Sequence, residues 1–122
     1  MNNEIFIFVC MLFCHIVDDY YLQGWLASAK QKEWWQKNAP DLLYKNDYQM
    51  ALMMHSISWA FSIMIPLAVL GKWNLGLFLI NMFIHYQIDD LKANLKKINL
   101  IQDQTIHVFQ ILITFILAMF IL

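Results

Sequence analysis

Apolar and polar residues alternate in long blocks along this chain. Four apolar runs predict membrane-spanning helices, at residues 5–22, 48–70, 75–91 and 100–122. Each run approaches the roughly 20 residues that a helix needs to cross a bilayer. The pattern predicts an all-α fold, an integral membrane four-helix bundle in which residues 1–122 form a single membrane domain.

The longest polar stretch, residues 23–46, follows the first run. Its Trp and Lys residues alternate, in the order Trp25, Lys30, Lys32, Trp34, Trp35 and Lys37. Trp beside Lys is typical of the membrane interface. We expect residues 23–37 to form an amphipathic helix that lies along the bilayer surface and ends near Pro40. A plain solvated linker is the alternative.

Composition supports a membrane protein, because 61% of the residues are hydrophobic and only 14% are charged. The net charge of −1 gives no reason to expect nucleic acid binding. All eight basic residues are Lys, so the bidentate fork with which Arg binds phosphate is missing. Cys10 and Cys14 lie one helical turn apart and do not suggest a disulfide framework.

The basic residues also predict the topology. Seven Lys residues fall in the loops after the first and third runs, whereas the turn after the second run has only Lys72. The positive-inside rule therefore places both long loops in the cytoplasm and both termini outside an inner membrane. The first run lacks the basic start and the cleavage site of a signal peptide, so we expect it to be retained.

Seven ionisable residues interrupt the apolar runs, all near their predicted cytoplasmic ends. They are His15, Asp19, His55, His85, Asp89, Asp103 and His107. Charged groups at such depth are costly and usually have a partner or a function. Residues four apart share one face of a helix. Each His–Asp pair has this spacing, so the helices would turn these side chains into one buried layer.

Imidazole and carboxylate at this spacing are a metal-ligand arrangement, and helix bundles build metal sites from such inward-facing residues. We expect all seven to be ligands of one or two divalent ions, with zinc favoured over manganese or iron. Asp19 and Asp89 are the candidate catalytic bases. A proton relay and a purely structural hydrogen-bond network remain alternatives.

Four further residues are candidates for substrate binding: Gln23, Lys30, Lys92 and Gln104. The two Lys residues flank the layer on its water side. They could meet an anionic head group, or they could extend to the interface. The neighbouring Asp18 and Asp90 fall on other helix faces, so we expect them at the interface or behind the ligands.

The joint spacing resembles a family of small four-helix membrane proteins of bacteria and phages, known as a domain of unknown function. The motifs H-x3-D-x3-Q from His15, H-x3-D-x2-K from His85 and D-Q-x2-H from Asp103 carry this resemblance, together with Lys30 and His55. The chain is more distantly similar to YdjM-like membrane proteins, described as metal-dependent hydrolases. The resemblance implies eight signature positions: His15, Asp19, Gln23, His55, His85, Asp89, Asp103 and His107. Asp18 departs from the small residue usual before the motif aspartate.

Three functions follow as hypotheses. The first is a membrane-embedded metal-dependent hydrolase that acts on a lipid or other phosphate-bearing amphiphile at the cytoplasmic face. The second is a component of a transporter for metal ions or protons, and oligomerisation would then be needed to complete a path. The third is a phage-type protein that docks on a host membrane complex through its Trp- and Lys-rich segment.

Overall fold

The computed structural model describes residues 2–122, and every regular element among them is helical. The six α-helices are α1 Asn2–Ile16, α2 Leu26–Ala29, α3 Lys32–Asn38, α4 Asp47–Val69, α5 Leu75–Ala93 and α6 Leu100–Ile116. The helix α1 continues into a π-helical segment, Val17–Leu22, and α6 into another, Leu117–Ile121. The predicted all-α class is confirmed.

Three of the described helical stretches are long and apolar enough to cross a membrane, namely Asn3–Leu22, Leu42–Val69 and Leu100–Ile121. They coincide closely with three of the four predicted spans. The helix α5 is apolar over most of its length but ends with Asp89, Asp90 and Lys92. Its role as a fourth span remains a prediction.

The long helices pack side by side, with α4 in contact with both α1 and α5, and α6 in contact with α1 and α5. An apolar core fills the half of this assembly that lies away from the ionisable layer. Its buried members are Met11, Trp59, Ala60, Ile63, Met64, Leu67, Leu77, Ile111, Phe115 and Ala118. This packing fixes the rotation of each helix, and the rotation aims the polar stripes at one another.

The outer surface of the four long helices carries large apolar side chains. Phe6 on α1, Phe61 on α4, Phe83 on α5 and Phe109 on α6 are each more than half exposed. A protein surrounded by water seldom exposes so much contiguous apolar surface. These side chains suit a hydrocarbon environment on all four sides.

The polar segment after the first span departs from the predicted single helix over residues 23–37. Gly24 adopts a left-handed backbone with φ of 56°, and Gln31 is extended, so the segment forms the two short helices α2 and α3. Trp25 packs edge-on against Trp34 and Trp35, with ring centroids 5.6 and 5.9 Å away. The predicted Trp-rich belt is therefore a compact aromatic cluster on a folded-back chain.

The start of α6, which carries two of the candidate ligands, is held by a reciprocal cap. The Asn99 side chain accepts a hydrogen bond of 2.9 Å from the amide of Gln102, and the Gln102 side chain accepts one of 3.0 Å from the amide of Asn99. Such a capping box satisfies amides that lack partners in the first turn of a helix. It fixes the point from which Asp103 enters the layer.

Replacement of Asn99 by Ala should lower the free energy of unfolding by about 1 kcal/mol, because one half of the box is lost. Asn46→Ala is the matched control, since the Asn46 side chain makes no capping hydrogen bond to α4 among the described residues. Unfolding of both variants in mixed detergent micelles, followed by circular dichroism, measures the difference. Equal stability of the two variants would contradict the capping assignment.

Candidate metal centre

All four long helical segments contribute to one buried layer of ionisable side chains. The first segment supplies His15 and Asp19, α4 supplies His55, α5 supplies His85 and Asp89, and α6 supplies Asp103 and His107. Six of these side chains are almost fully buried, and Asp19 is nearly so. The seven residues that the sequence singles out as ligands thus lie together, although they do not all face the same point.

Four of the seven converge most closely. The Nε2 atom of His55 lies 3.1 Å from Asp19 Oδ1, 3.1 Å from His85 Nε2 and 3.3 Å from Asp89 Oδ2. His85 Nε2 lies 3.6 Å from the same Asp89 oxygen and 4.0 Å from the same Asp19 oxygen. Ligands of a tetrahedral zinc ion at 2.0–2.1 Å are spaced by roughly 3.3 Å. The four atoms therefore approach the spacing of a tetrahedral ligand set.

A second group lies beside the first, on α6. His107 Nε2 is 3.2 Å from Asp89 Oδ1 and 3.3 Å from Asp103 Oδ1. Donor atoms of Asp19, Asp103 and His107 also lie within 4.8 Å of one another. Asp19 and Asp89 are therefore shared between the two groups.

Two ammonium groups reach the carboxylates of the layer. Lys30 is buried, and its Nζ donates a hydrogen bond of 2.8 Å to Asp89 Oδ2. Lys92 Nζ donates one of 2.9 Å to Asp103 Oδ2 and retains 26% exposure. Lys30 thus points into the layer instead of extending to the interface. The Asn94 side chain, at the end of α5, donates a hydrogen bond to the Lys30 carbonyl. This bond holds the α2–α3 segment, and with it Lys30, against the layer.

His15 lies behind the ligand groups and acts on them through Gln104. The indole N–H of Trp59 donates 2.8 Å to His15 Nδ1, so the ring carries its proton on Nε2 and donates 2.9 Å to Gln104 Oε1. The Gln104 amide then donates to Oδ2 of both Asp19 and Asp103, at 3.0 and 2.9 Å. Both nitrogens of His15 are engaged, which favours a role in positioning over direct ligation.

The π-helical segment explains how two adjacent aspartates can both be used. A π-helix takes more residues per turn than an α-helix, and such segments are common at functional sites. Asp19 reaches His55 Nε2, whereas Asp18 turns towards α4 and accepts hydrogen bonds from Ser58 and Ser62, at 2.6 and 3.0 Å. Asp18 is buried behind the imidazole of His55, with Oδ1 3.8 Å from Nδ1. The expectation that Asp18 would lie behind the ligands describes this position.

Trp59 closes the layer on its apolar side. Its ring stacks on His85 with a centroid distance of 4.1 Å and an interplanar angle of 15°, and lies 5.2 Å from the ring of His107. The indole therefore excludes water from the imidazoles and orients His15 at the same time. Nothing in the sequence singled out Ser58, Trp59 and Ser62, although their spacing of three, four and seven residues from His55 places them near its face of α4.

The remaining candidates lie at the margin. Gln23 donates to the backbone carbonyl of Asp19 at 2.8 Å and makes no side-chain contact with the two ligand groups among the described hydrogen bonds. Asp90 accepts from Asn94 at 2.7 Å, away from the layer. The structure thus brings Gln104, Lys30 and Lys92 to the ligand groups and leaves Gln23 at the end of its helical segment.

Atoms without hydrogen-bond partners give a chemical test of a metal site. Within residues 2–122, Asp103 Oδ1 is buried, makes no hydrogen bond and lies 3.3 Å from His107 Nε2. His85 Nδ1 is also without a partner, but it is not the ring atom that faces the other donors. His55 Nε2 and His85 Nε2 face each other, so only one of them can carry a proton. Buried acceptors seldom converge without a cation or a donor between them. The donor set of imidazoles and carboxylates is one that zinc, manganese or iron accepts.

Comparison with known proteins adds no assignment. No protein-family model matches the chain, and no curated protein and no solved structure is significantly similar to it. Any inference about function therefore rests on the chemistry of the buried layer.

Asp89→Asn should destabilise the folded protein by about 3–5 kcal/mol, because Lys30 and the surrounding imidazoles would lose the charge that compensates their burial. Asp90→Asn, at the next residue, should change stability by less than about 0.5 kcal/mol, since its side chain contacts only Asn94 among the described hydrogen bonds. Thermal unfolding of both variants in detergent measures the difference. A similar melting temperature for the two would mean that Asp89 is not the charge centre of the layer.

Proposed function

We propose that this protein is a membrane-embedded, metal-dependent hydrolase that acts on an amphiphilic substrate at the cytoplasmic face of an inner membrane. The observation that carries the proposal is the convergence of Asp19 Oδ1, His55 Nε2, His85 Nε2 and Asp89 Oδ2 within 4.8 Å of one another. His55, His85 and Asp89 would hold a divalent ion, with zinc favoured over manganese or iron, and Asp19 would lie beside the position left open for water. Such an ion, when bound, lowers the pKa of a bound water to about 7 and polarises the oxygen of the scissile bond.

The residues around the ion would divide the remaining tasks. A hydrolase needs a base to take a proton from the attacking water. Of the two candidate bases, Asp19 is better placed than Asp89, because its side chain is 7% exposed against 1%. Gln104 holds Asp19 through Oδ2 and so keeps Oδ1 directed at His55 and His85.

The substrate is inferred from the surroundings of the layer. Lys92 is the more exposed of the two ammonium groups that contact the layer, so it would meet an anionic group such as a phosphate. The outer surface of the four long helices carries large exposed apolar side chains, which lipid chains could contact. A lipid or another amphiphile with a phosphate-bearing head group could place its polar part at Lys92 while its chain stays in the bilayer.

The distribution of charge supports the proposed cytoplasmic location. The segments that flank the layer carry seven of the eight Lys residues, and the positive-inside rule favours the cytoplasm for this end of the helices. The same rule places both termini on the opposite side if α5 is the fourth span.

A transporter for metal ions or protons is the second candidate, favoured by a polar extension below the layer. Gln110, Asn81 and Thr114 form a hydrogen-bonded chain that leads from His107 towards the middle of the helices. Beyond it the core is apolar, with Ile63, Met64 and Leu67 fully buried. A path across the membrane would have to pass this barrier, so the hydrolase is the better fit to the geometry.

The purified protein in detergent should retain divalent metal at one ion or more per chain, and His85→Ala should lose at least one of them, because His85 points its Nε2 at the other three donors. The same variant should lose hydrolysis of phosphate-bearing amphiphiles. Elemental analysis and phosphate release measure the two properties, with Asp90→Asn as the control that keeps both. Wild-type protein without stoichiometric metal, or full activity in His85→Ala, would sink the hydrolase proposal. Metal flux into liposomes without hydrolysis would favour transport.

A further inference from the structure

A second group of ligand atoms, formed by Asp103 and His107 of α6 with Asp89 of α5, lies beside the proposed ion. Gln110 donates through Nε2 to the carbonyl of Asn81 at 2.8 Å, which turns its Oε1 towards His107 Nδ1 at 3.4 Å. The proton of a neutral His107 therefore lies on Nδ1. The lone pair of Nε2 then faces Asp89 Oδ1 and Asp103 Oδ1, at 3.2 and 3.3 Å. Three acceptors meet at one buried point.

The hydrogen bonds of Asp103 leave one of its oxygens free to bind a cation at this point. Its Oδ2 accepts hydrogen bonds from both Lys92 and Gln104. Its Oδ1 is buried, makes no hydrogen bond within residues 2–122, and points at His107. Because both donors are gathered on Oδ2, the lone pairs of Oδ1 stay free to face the group.

Asp89 connects this group with the first. Its Oδ2 accepts from Lys30 and faces His55 and His85, whereas its Oδ1 faces His107. Asp19 belongs to both groups as well. Carboxylates that offer one oxygen to each of two neighbouring ligand groups are the arrangement with which helix bundles hold pairs of metal ions.

We propose that Asp103, His107 and Asp89 bind a second divalent cation, bridged to the first by the Asp89 carboxylate and flanked by Asp19. The inference rests on the proposed function, since the first ion occupies the other side of the bridge. Paired ions stabilise both the attacking and the leaving oxygen in hydrolysis of phosphate esters. The substrate class is therefore narrowed to a phosphate ester of an amphiphile.

A proton on His107 is the alternative to a second metal ion, because an imidazolium would also compensate the charge of the Asp89 and Asp103 carboxylates. The two alternatives differ in the number of metal ions bound per chain. Asp103→Asn distinguishes them, since it keeps the shape of the side chain and removes the charge of one ligand. Thr105→Val is the matched control: Thr105 lies on the exposed face of α6 and bonds only to the Ile101 carbonyl among the described contacts.

The test is equilibrium dialysis of the full chain in detergent against zinc, followed by elemental analysis. We expect two ions per chain in the wild type and in Thr105→Val, and one ion in Asp103→Asn. His107→Gln should also bind one ion and serves if Asp103→Asn does not fold. Manganese-loaded wild type should give the spin-coupled resonance spectrum of a bridged pair, and Asp103→Asn the spectrum of an isolated ion.

The outcomes separate the two proposals. One ion in the wild type, with an uncoupled manganese spectrum, overturns the second site and leaves the hydrolase proposal standing. Two ions in Asp103→Asn overturn the assignment of the second site to these residues. No bound ion in the wild type overturns both proposals.

Discussion

The charge of Asp89 is the interaction on which this structure depends. The carboxylate is almost fully buried, and it lies within 3.6 Å of the ammonium of Lys30 and of the imidazoles of His55, His85 and His107. Removal of an ionised carboxylate from water costs several kcal/mol, and only close, well-oriented partners compensate that cost. Each partner comes from a different part of the chain or a different turn. The rotations of α4, α5 and α6 and the course of the α2–α3 segment must therefore all place a partner beside this one carboxylate.

This requirement accounts for features that would otherwise look like irregularities. The chain turns back at Gly24 and is extended at Gln31, which brings Lys30 into contact with Asp89. The π-helical segment lets Asp18 and Asp19 address opposite edges of the same imidazole, His55. The chain departs from regular helix in both places, and these departures bring Lys30, Asp18 and Asp19 into contact with the layer.

Much of the layer could be predicted from spacing alone. His85 and Asp89, and Asp103 and His107, are four residues apart, so a helix must put each pair on one face whatever the tertiary structure. The apolar runs around them fix which ends of the helices they occupy. Lys30 could not be placed in this way, because its position depends on a chain reversal and on the backbone contact from Asn94. The second role of Trp59 could not be predicted, because an indole in an apolar helix is usually a core residue and only the structure shows its hydrogen bond to His15. For His15 the spacing predicts the location but not the task, since the partners of its two nitrogens come from α4 and α6.

The central claim is that the converging imidazoles and carboxylates bind a metal ion directly. X-ray absorption at the zinc edge of the loaded protein tests it most directly, because the method reports the atoms in contact with the ion. The account predicts nitrogen and oxygen neighbours at about 2.0–2.1 Å, with the outer scattering of at least two imidazole rings. A sulfur neighbour at about 2.3 Å would instead assign the ion to Cys10 or Cys14. That result, or a spectrum without imidazole scattering, would contradict the account.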